Sequence, residues 1–388
     1  MATGDARPRI ARPGTPERAT ASDRPGVAQP VPERPIPARP WGPILLGAVL
    51  LAGALLAAWE WQWRDFGVAP GYRNSNGQWA QQRRRIDAGE GDATVLIGSS
   101  RVLFDLQLPV WERLTGERPI QLALEGTSPV PILEDLAADP KFTGRLLIGV
   151  APVLFFSDFS RRVDVLPYYR DQAPSQRAGQ WLSMQLEPVL AFYDPDFALS
   201  TVVRRQAWPL RAGAPPDVEV RKLSISDADR NTRMWSKVED DPAYRALMQD
   251  IWKRLLTSRP PPPPKVAIAL REKQIERAAI AIAKLHRRGV PVLFLRPPSA
   301  GLWLQIEQKA FPRAETWDRL LARTGAPGIH FEDYPQLQGY ELPEWSHLSA
   351  SEADRFTAAL VPIIQREHWG DRPTGSGAVA EQGDGATR

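Results

Sequence analysis

Between Trp41 and Trp59 the chain reads GPILLGAVLLAGALLAA, a run without a charged side chain. At 1.5 Å per residue it reaches about 26 Å, near the roughly 30 Å hydrocarbon core of a bilayer. Residues 43–58 are therefore expected to form one membrane-spanning helix. Trp41 on one side and Trp59, Trp61 and Trp63 on the other occupy the places of interfacial aromatic belts, and Arg34 and Arg39 put positive charge ahead of the span. This predicts a cytoplasmic N terminus and an extracytoplasmic, periplasmic C-terminal domain. A cleavable signal peptide and a buried core helix are the competing readings. The stretch before the run is longer than a usual signal-peptide n-region, and no small-x-small site precedes WEWQWRD. Gly47, Gly53, Ala54, Ala57 and Ala58 would let a second helix approach closely.

Composition narrows what the rest can be. With 388 residues and 43% hydrophobic content, the chain can bury a substantial core. Its net charge of +4 is small, and arginines alternate with carboxylates instead of forming a stripe interleaved with aromatics, so no nucleic-acid partner is expected. The absence of cysteine removes thiol catalysis, disulfides and thiolate metal sites. Four histidines (His286, His330, His347, His368) include no i, i+4 pair, so a His-Glu-x-x-His zinc centre is excluded and no metal or cofactor is expected.

The soluble part alternates strand and helix. ATVLIGSS, PIQLALEG and RLLIGVAP read as buried parallel strands, separated by helical patterns at Leu108–Leu114 and Pro129–Ala138. From about Phe155 to Pro264 the rhythm breaks into aromatic, helical and irregular sequence, ending in five prolines. It resumes with a helix at Arg271–Arg288, a strand in PVLFLRPP, helix over 302–324, a strand in GIHFEDY and a terminal helix capped by Ser351. The expected organisation is a disordered cytoplasmic tail (1–40), a transmembrane anchor (41–63), a connector (64–92) and an α/β domain from 93–154 and 265–368. An inserted cap (155–264) and a second disordered tail (369–388) complete it.

Ligands of an open parallel sheet sit beyond the carboxyl ends of its strands. The first strand ends in Gly98-Ser99-Ser100-Arg101, which puts a serine hydroxyl at a helix start; an ordinary turn with a serine cap looks the same. Gly126 ends the second strand, where a backbone N–H can face the same point, though any tight turn favours glycine. Glu344-Trp345-Ser346-His347 precedes the last helix, so His347 can act as general base with Glu344 orienting its other nitrogen. His286 lies in a basic helix end, His330 inside a strand and His368 at the end of the final helix, which leaves His347 as the catalytic candidate.

These blocks, in this order, resemble the SGNH, or GDSL-type, hydrolase superfamily over residues 93–154 and 266–368. The resemblance implies a three-layer α/β/α fold with a parallel five-stranded sheet, here with a helical insertion and one transmembrane helix. It assigns Ser100 as nucleophile with Ser99 in the aspartate's place, Gly126 to the second block, and Glu344 and His347 to the Asp-x-x-His block. The Gly-x-Asn-Asp block has no asparagine in Gly149-Val150-Ala151-Pro152. The departures are similar to membrane-anchored envelope members, such as those of alginate acetylation and lipoteichoic acid D-alanylation, which work beside multispanning acyltransferases.

The leading expectation is an extracytoplasmic serine esterase or O-acyltransferase acting on acyl groups of a cell-envelope polysaccharide or lipid. Ser100 would attack, His347 would take its proton, and the N–H groups of Ser100 and Gly126 would hold the oxyanion. Arg101 and Arg296 would bind an anionic substrate. The alternative is a catalytically inactive glycan-binding or assembly factor that partners a membrane acyltransferase, with Trp181, Trp208, Trp235 and Trp252 available for sugar stacking.

Overall fold

The computed structural model describes residues 37–206, 219–258 and 260–370. Most of the tails expected to be disordered, and Trp208, lie outside the described residues. Helix α1 (Trp41–Asp65) continues past the apolar run and is the one described helix long and apolar enough to cross a membrane. Its extension rests on an i, i+4 ion pair of Glu60 with Arg64 at 2.5 Å, and it stops before Gly67, whose φ is 97°. The chain divides into two compact units, one ending at Leu56 and one beginning at Ala57.

Within the second unit, the segment expected to be a connector contains α2 (Asn76–Asp87), which is part of the core. Ser75 caps it by accepting the Gln78 N–H. Trp79 is fully buried and donates to the Leu122 carbonyl at 2.9 Å, while buried Arg83 pairs with Asp135 at 3.0 Å and Asp139 at 2.7 Å. Polar letters concealed this helix because its buried groups are satisfied by hydrogen bonds and ion pairs.

There follow β1 (Val95–Ile97), α3 (Ser100–Asp105), α4 (Leu108–Thr115), β2 (Ile120–Gln121), α5 (Val130–Ala138) and β3 (Leu146–Gly149). Helix α6 (Pro152–Phe155) leads into the insertion, which carries α7 (Val165–Asp171), α8 (Pro174–Leu186), α9 (Leu199–Arg204), α10 (Ser236–Asp240) and α11 (Pro242–Thr257). It also holds an antiparallel hairpin that the sequence pattern does not announce, β4 (Ser224–Ser226) with β5 (Thr232–Met234). Met234, Trp235, Val238, Met248 and Ile251 bury into the same cluster as α3, α4 and the terminal helix, so the expected cap is built into the core.

The α/β rhythm resumes with α12 (Pro264–Arg287), β6 (Val292–Arg296), α13 (Gly301–Ala310), α14 (Trp317–Thr324), β7 (Gly328–His330) and α15 (Ala350–Ile364). Helix α12 begins at the last of the five prolines, not at Arg271, because a proline at the first helical position gives up no needed N–H. Ser349, not Ser351, precedes α15, and the Ala350 N–H is capped by the Glu239 carboxylate of α10 at 2.5 Å. That partner lies far away in sequence.

The five-stranded sheet is parallel, in the order β2-β1-β3-β6-β7. Leu96, Leu147, Leu293, Leu295 and Ile329 pack on one face with α3, α4 and α15. Val95, Ile97, Leu146, Ile148, Val292 and Phe294 pack on the other with α2, α5, α12 and α14. The period of two, buried on both sides, makes three α/β/α layers.

Candidate active site

The chain passes from β1 outward to β2 and returns across β1 to β3, so its direction of travel along the sheet reverses between β1 and β3. The crevice beyond their carboxyl ends is where such sheets hold ligands. Ser100 opens α3 immediately after β1. A Cβ on Gly98 would lie 2.5 Å from Val102 Cγ2 and one on Gly149 only 1.9 Å away, so glycines at both strand ends let α3 seat tightly over the crevice.

The loop before α15 supplies the histidine. One Glu344 oxygen, Oε1, accepts both the backbone N–H of His347 and its ring Nδ1, each at 2.7 Å. The other accepts the indole N–H of Trp252 from α11. Glu344 is completely buried and His347 is 2% exposed, so the pair is shielded from water. In the neutral imidazole, donation from Nδ1 to this oxygen leaves Nε2 with a lone pair. Nε2 is buried and has no hydrogen-bond partner among the described residues. The turn needs Trp345 in the left-handed region, with φ of 72°, its N–H bonded to Leu342 and its carbonyl to Ala300. Gly301 makes room, since a Cβ there would lie 2.5 Å from the Trp345 ring.

Three contacts fasten α3 to this loop. Arg101 Nε donates to Ser346 Oγ at 3.4 Å, Phe104 stacks on the His347 ring with centroids 4.3 Å apart, and Asp105 Oδ1 accepts the Leu348 N–H at 3.0 Å. Ser100 and Phe104, four residues apart, share one face of α3, which brings the half-buried serine to the histidine side of the helix. Its Oγ is not hydrogen-bonded to His347. Asp105 is fully buried; burial, reinforced by Glu344, pushes its carboxyl up to about 7 against the opposing pull of His347, the Leu348 N–H and Arg101.

Gly126 sits at φ 54°, and a Cβ would lie 2.7 Å from Arg161 Cδ. Its carbonyl accepts the Arg161 N–H at 3.0 Å, and neighbouring Glu125 accepts from Asn74 and from Arg162. Buried Arg230, in the β4–β5 turn, donates to Asn74 and to the Gln121 and Ala123 carbonyls, which ties the insertion to the end of β2. After β3 the Val150 N–H is spent on the Leu295 carbonyl and Pro152 has none, and Gly149-Val150-Ala151-Pro152 holds no side-chain amide. The Asn74 side-chain amide donates to Glu125 and accepts from Arg230.

Arg101 and Arg296 are not placed as expected. Arg101 pairs with Glu307 of α13 at 2.8 Å, Arg296 pairs with it at 2.7 Å, and all three are buried. Burial alone would raise the Glu307 carboxyl, but the two guanidiniums and the Ser299 hydroxyl outweigh it and hold it low. A shared internal counter-ion therefore takes the place of an anionic substrate, and the fastening role of Arg101 follows from its Ser346 contact. Next to it, a cavity of about 120 Å³ is lined by Val150, Arg296, Glu307 and His330, whose imidazole is held down to about 3 by burial and by Arg296 and Arg313. Trp235 is core, Trp252 serves Glu344 and Trp181 is exposed. Asp105, Glu307 and Trp252 are the site residues that sequence reasoning missed or misassigned; none carries a local motif.

No protein-family model, curated protein or solved structure matches the chain.

Proposed function

We propose that this chain is a membrane-anchored, SGNH-like serine esterase or O-acyltransferase whose domain works outside the cytoplasm on acyl groups of a cell-envelope polysaccharide or lipid. The carrying observation is the buried Glu344–His347 contact of 2.7 Å, with Nε2 left unpartnered beside the helix that begins at Ser100. In this reading Ser100 Oγ attacks the ester carbonyl as His347 Nε2 takes its proton, and Glu344 stabilises the imidazolium that results. The backbone N–H groups of Ser100 and Gly126 receive the oxyanion. His347 then returns the proton to the departing alcohol, and water or a glycan hydroxyl takes the acyl group from Ser100. A multispanning acyltransferase is the fitting source of acyl groups for the transfer version.

The purified full chain should label at Ser100 with a fluorophosphonate and hydrolyse nitrophenyl acetate, and Ser100→Ala and His347→Ala should each abolish both. Glycan acceptors that raise turnover would identify transfer. The absence of an asparagine after β3 and of a Ser100–His347 hydrogen bond favours a second reading, a catalytically silent glycan holder. Failure of both labelling and hydrolysis with a folded protein would establish that reading in place of the first.

A further inference from the structure

The last turns of α1 are bonded to one stretch of the insertion. Trp59 donates its indole N–H to the Phe197 carbonyl at 3.2 Å, and the Glu60 carboxylate accepts the N–H groups of Ala191 and Phe192 at 3.0 and 3.1 Å. Arg64 donates to the Val189 carbonyl at 2.7 Å, and the Trp63 ring lies against Phe197 with centroids 4.6 Å apart. All these residues belong to the unit that begins at Ala57.

On either side of this bonded stretch the insertion displays large apolar side chains to solvent. Trp181, Leu182 and Leu186 at the end of α8, Val189 after it, and Leu199 and Val203 on α9 are each between 45% and 62% exposed. The pairs Leu182 with Leu186 and Leu199 with Val203 stand four residues apart, so each helix turns one apolar edge outward. Scattered exposed leucines need no explanation, but a concentration within residues 181–203 does.

We infer that the 181–203 face is a monotopic membrane contact, seated in the headgroup and upper acyl region of the leaflet from which α1 emerges. The occupant is set by chain continuity. Residues 59–64 directly follow the uncharged run, so whatever is bonded to them lies at the bilayer surface, where tryptophan and leucine edges of short helices are favoured. The inference rests on α1 crossing the membrane, but it does not depend on the chemistry proposed for Ser100.

The chain has no cysteine, so single cysteines report single sites. Leu50→Cys, Leu182→Cys, Leu199→Cys and Lys141→Cys, each labelled with an environment-sensitive fluorophore, are to be measured as the full chain in phosphatidylcholine and phosphatidylglycerol nanodiscs. Lipids spin-labelled near the headgroup should quench positions 182 and 199 at least twofold, with iodide acting weakly there. Position 141, exposed in the turn before β3, should respond to iodide alone. Position 50 should respond to deeply spin-labelled lipid. If 182 and 199 behave like 141 while 50 is quenched by lipid, the span stands and the surface contact is overturned. If 50 also fails to sense lipid, the span reading falls and takes this inference with it.

Discussion

Replacing Asp105 with asparagine separates the electrostatics of the site from its packing. Asp105 Oδ1 accepts the Leu348 N–H, whereas Oδ2 is buried without a partner among the described residues. Burial is the chief reason that its carboxyl is raised from 3.8 to about 7, a rise that corresponds to about 4 kcal/mol between the protonated and ionised forms. Between about pH 4 and pH 7 the unfolded chain has released this proton while the folded chain retains it, so the folded state binds more protons and stability falls as pH rises. The contribution is fully present below about pH 4 and lost as pH passes about 7. Asparagine keeps the shape and the acceptor for Leu348 but does not titrate. Urea unfolding of the full chain in detergent micelles, followed by tryptophan fluorescence, should show the stability of Asp105→Asn relative to wild type growing by about 4 kcal/mol from pH 4 to pH 8. A difference that stays constant across that range would refute a buried, protonated Asp105.

Glu344→Gln keeps the hydrogen-bond shape but removes the charge that in the proposed chemistry stabilises the imidazolium, and nitrophenyl ester hydrolysis should fall in kcat by roughly 10³- to 10⁴-fold with KM little changed. Glu307→Gln leaves Arg101 and Arg296 buried without their shared counter-ion and should cost about 3–5 kcal/mol in urea unfolding. Gly126→Ala forces a side chain onto φ 54° against Arg161 and should lower kcat about 10²-fold by displacing the loop, whereas Gly116→Ala, at φ 73° in open space, should strain the fold without affecting turnover.

The parallel strands were readable because burial on both faces leaves near-continuous apolar runs, and Gly98, Ser100, Glu344 and His347 were readable because each lies at or beside an element boundary. What escaped the sequence depends on distant partners. Helix α2 was hidden since Arg83 and Gln78 bury by pairing with Asp135 and the Asp227 carbonyl. Arg101 and Arg296 resembled substrate ligands because nothing local reveals that Glu307, on another helix, neutralises both. Trp252 resembled a sugar platform, yet its indole is committed to Glu344. The cap of α15 is invisible locally, because it comes from Glu239 and not from the adjacent serines.

The turn at Trp345 has a mechanical consequence. Glu344 and His347 are joined by three peptide bonds and by two hydrogen bonds to a single oxygen, and the Ser349 N–H closes the loop's base on the Glu341 carbonyl at 3.2 Å. Such a closed ring moves as one piece. Any displacement of the loop therefore carries His347 and Glu344 together, and the movable coordinate reduces to a single gap, between this ring and the first turn of α3. The latches across that gap are Arg101 to Ser346 and Asp105 to Leu348, so the distance from Ser100 to His347 is governed by side chains other than those two.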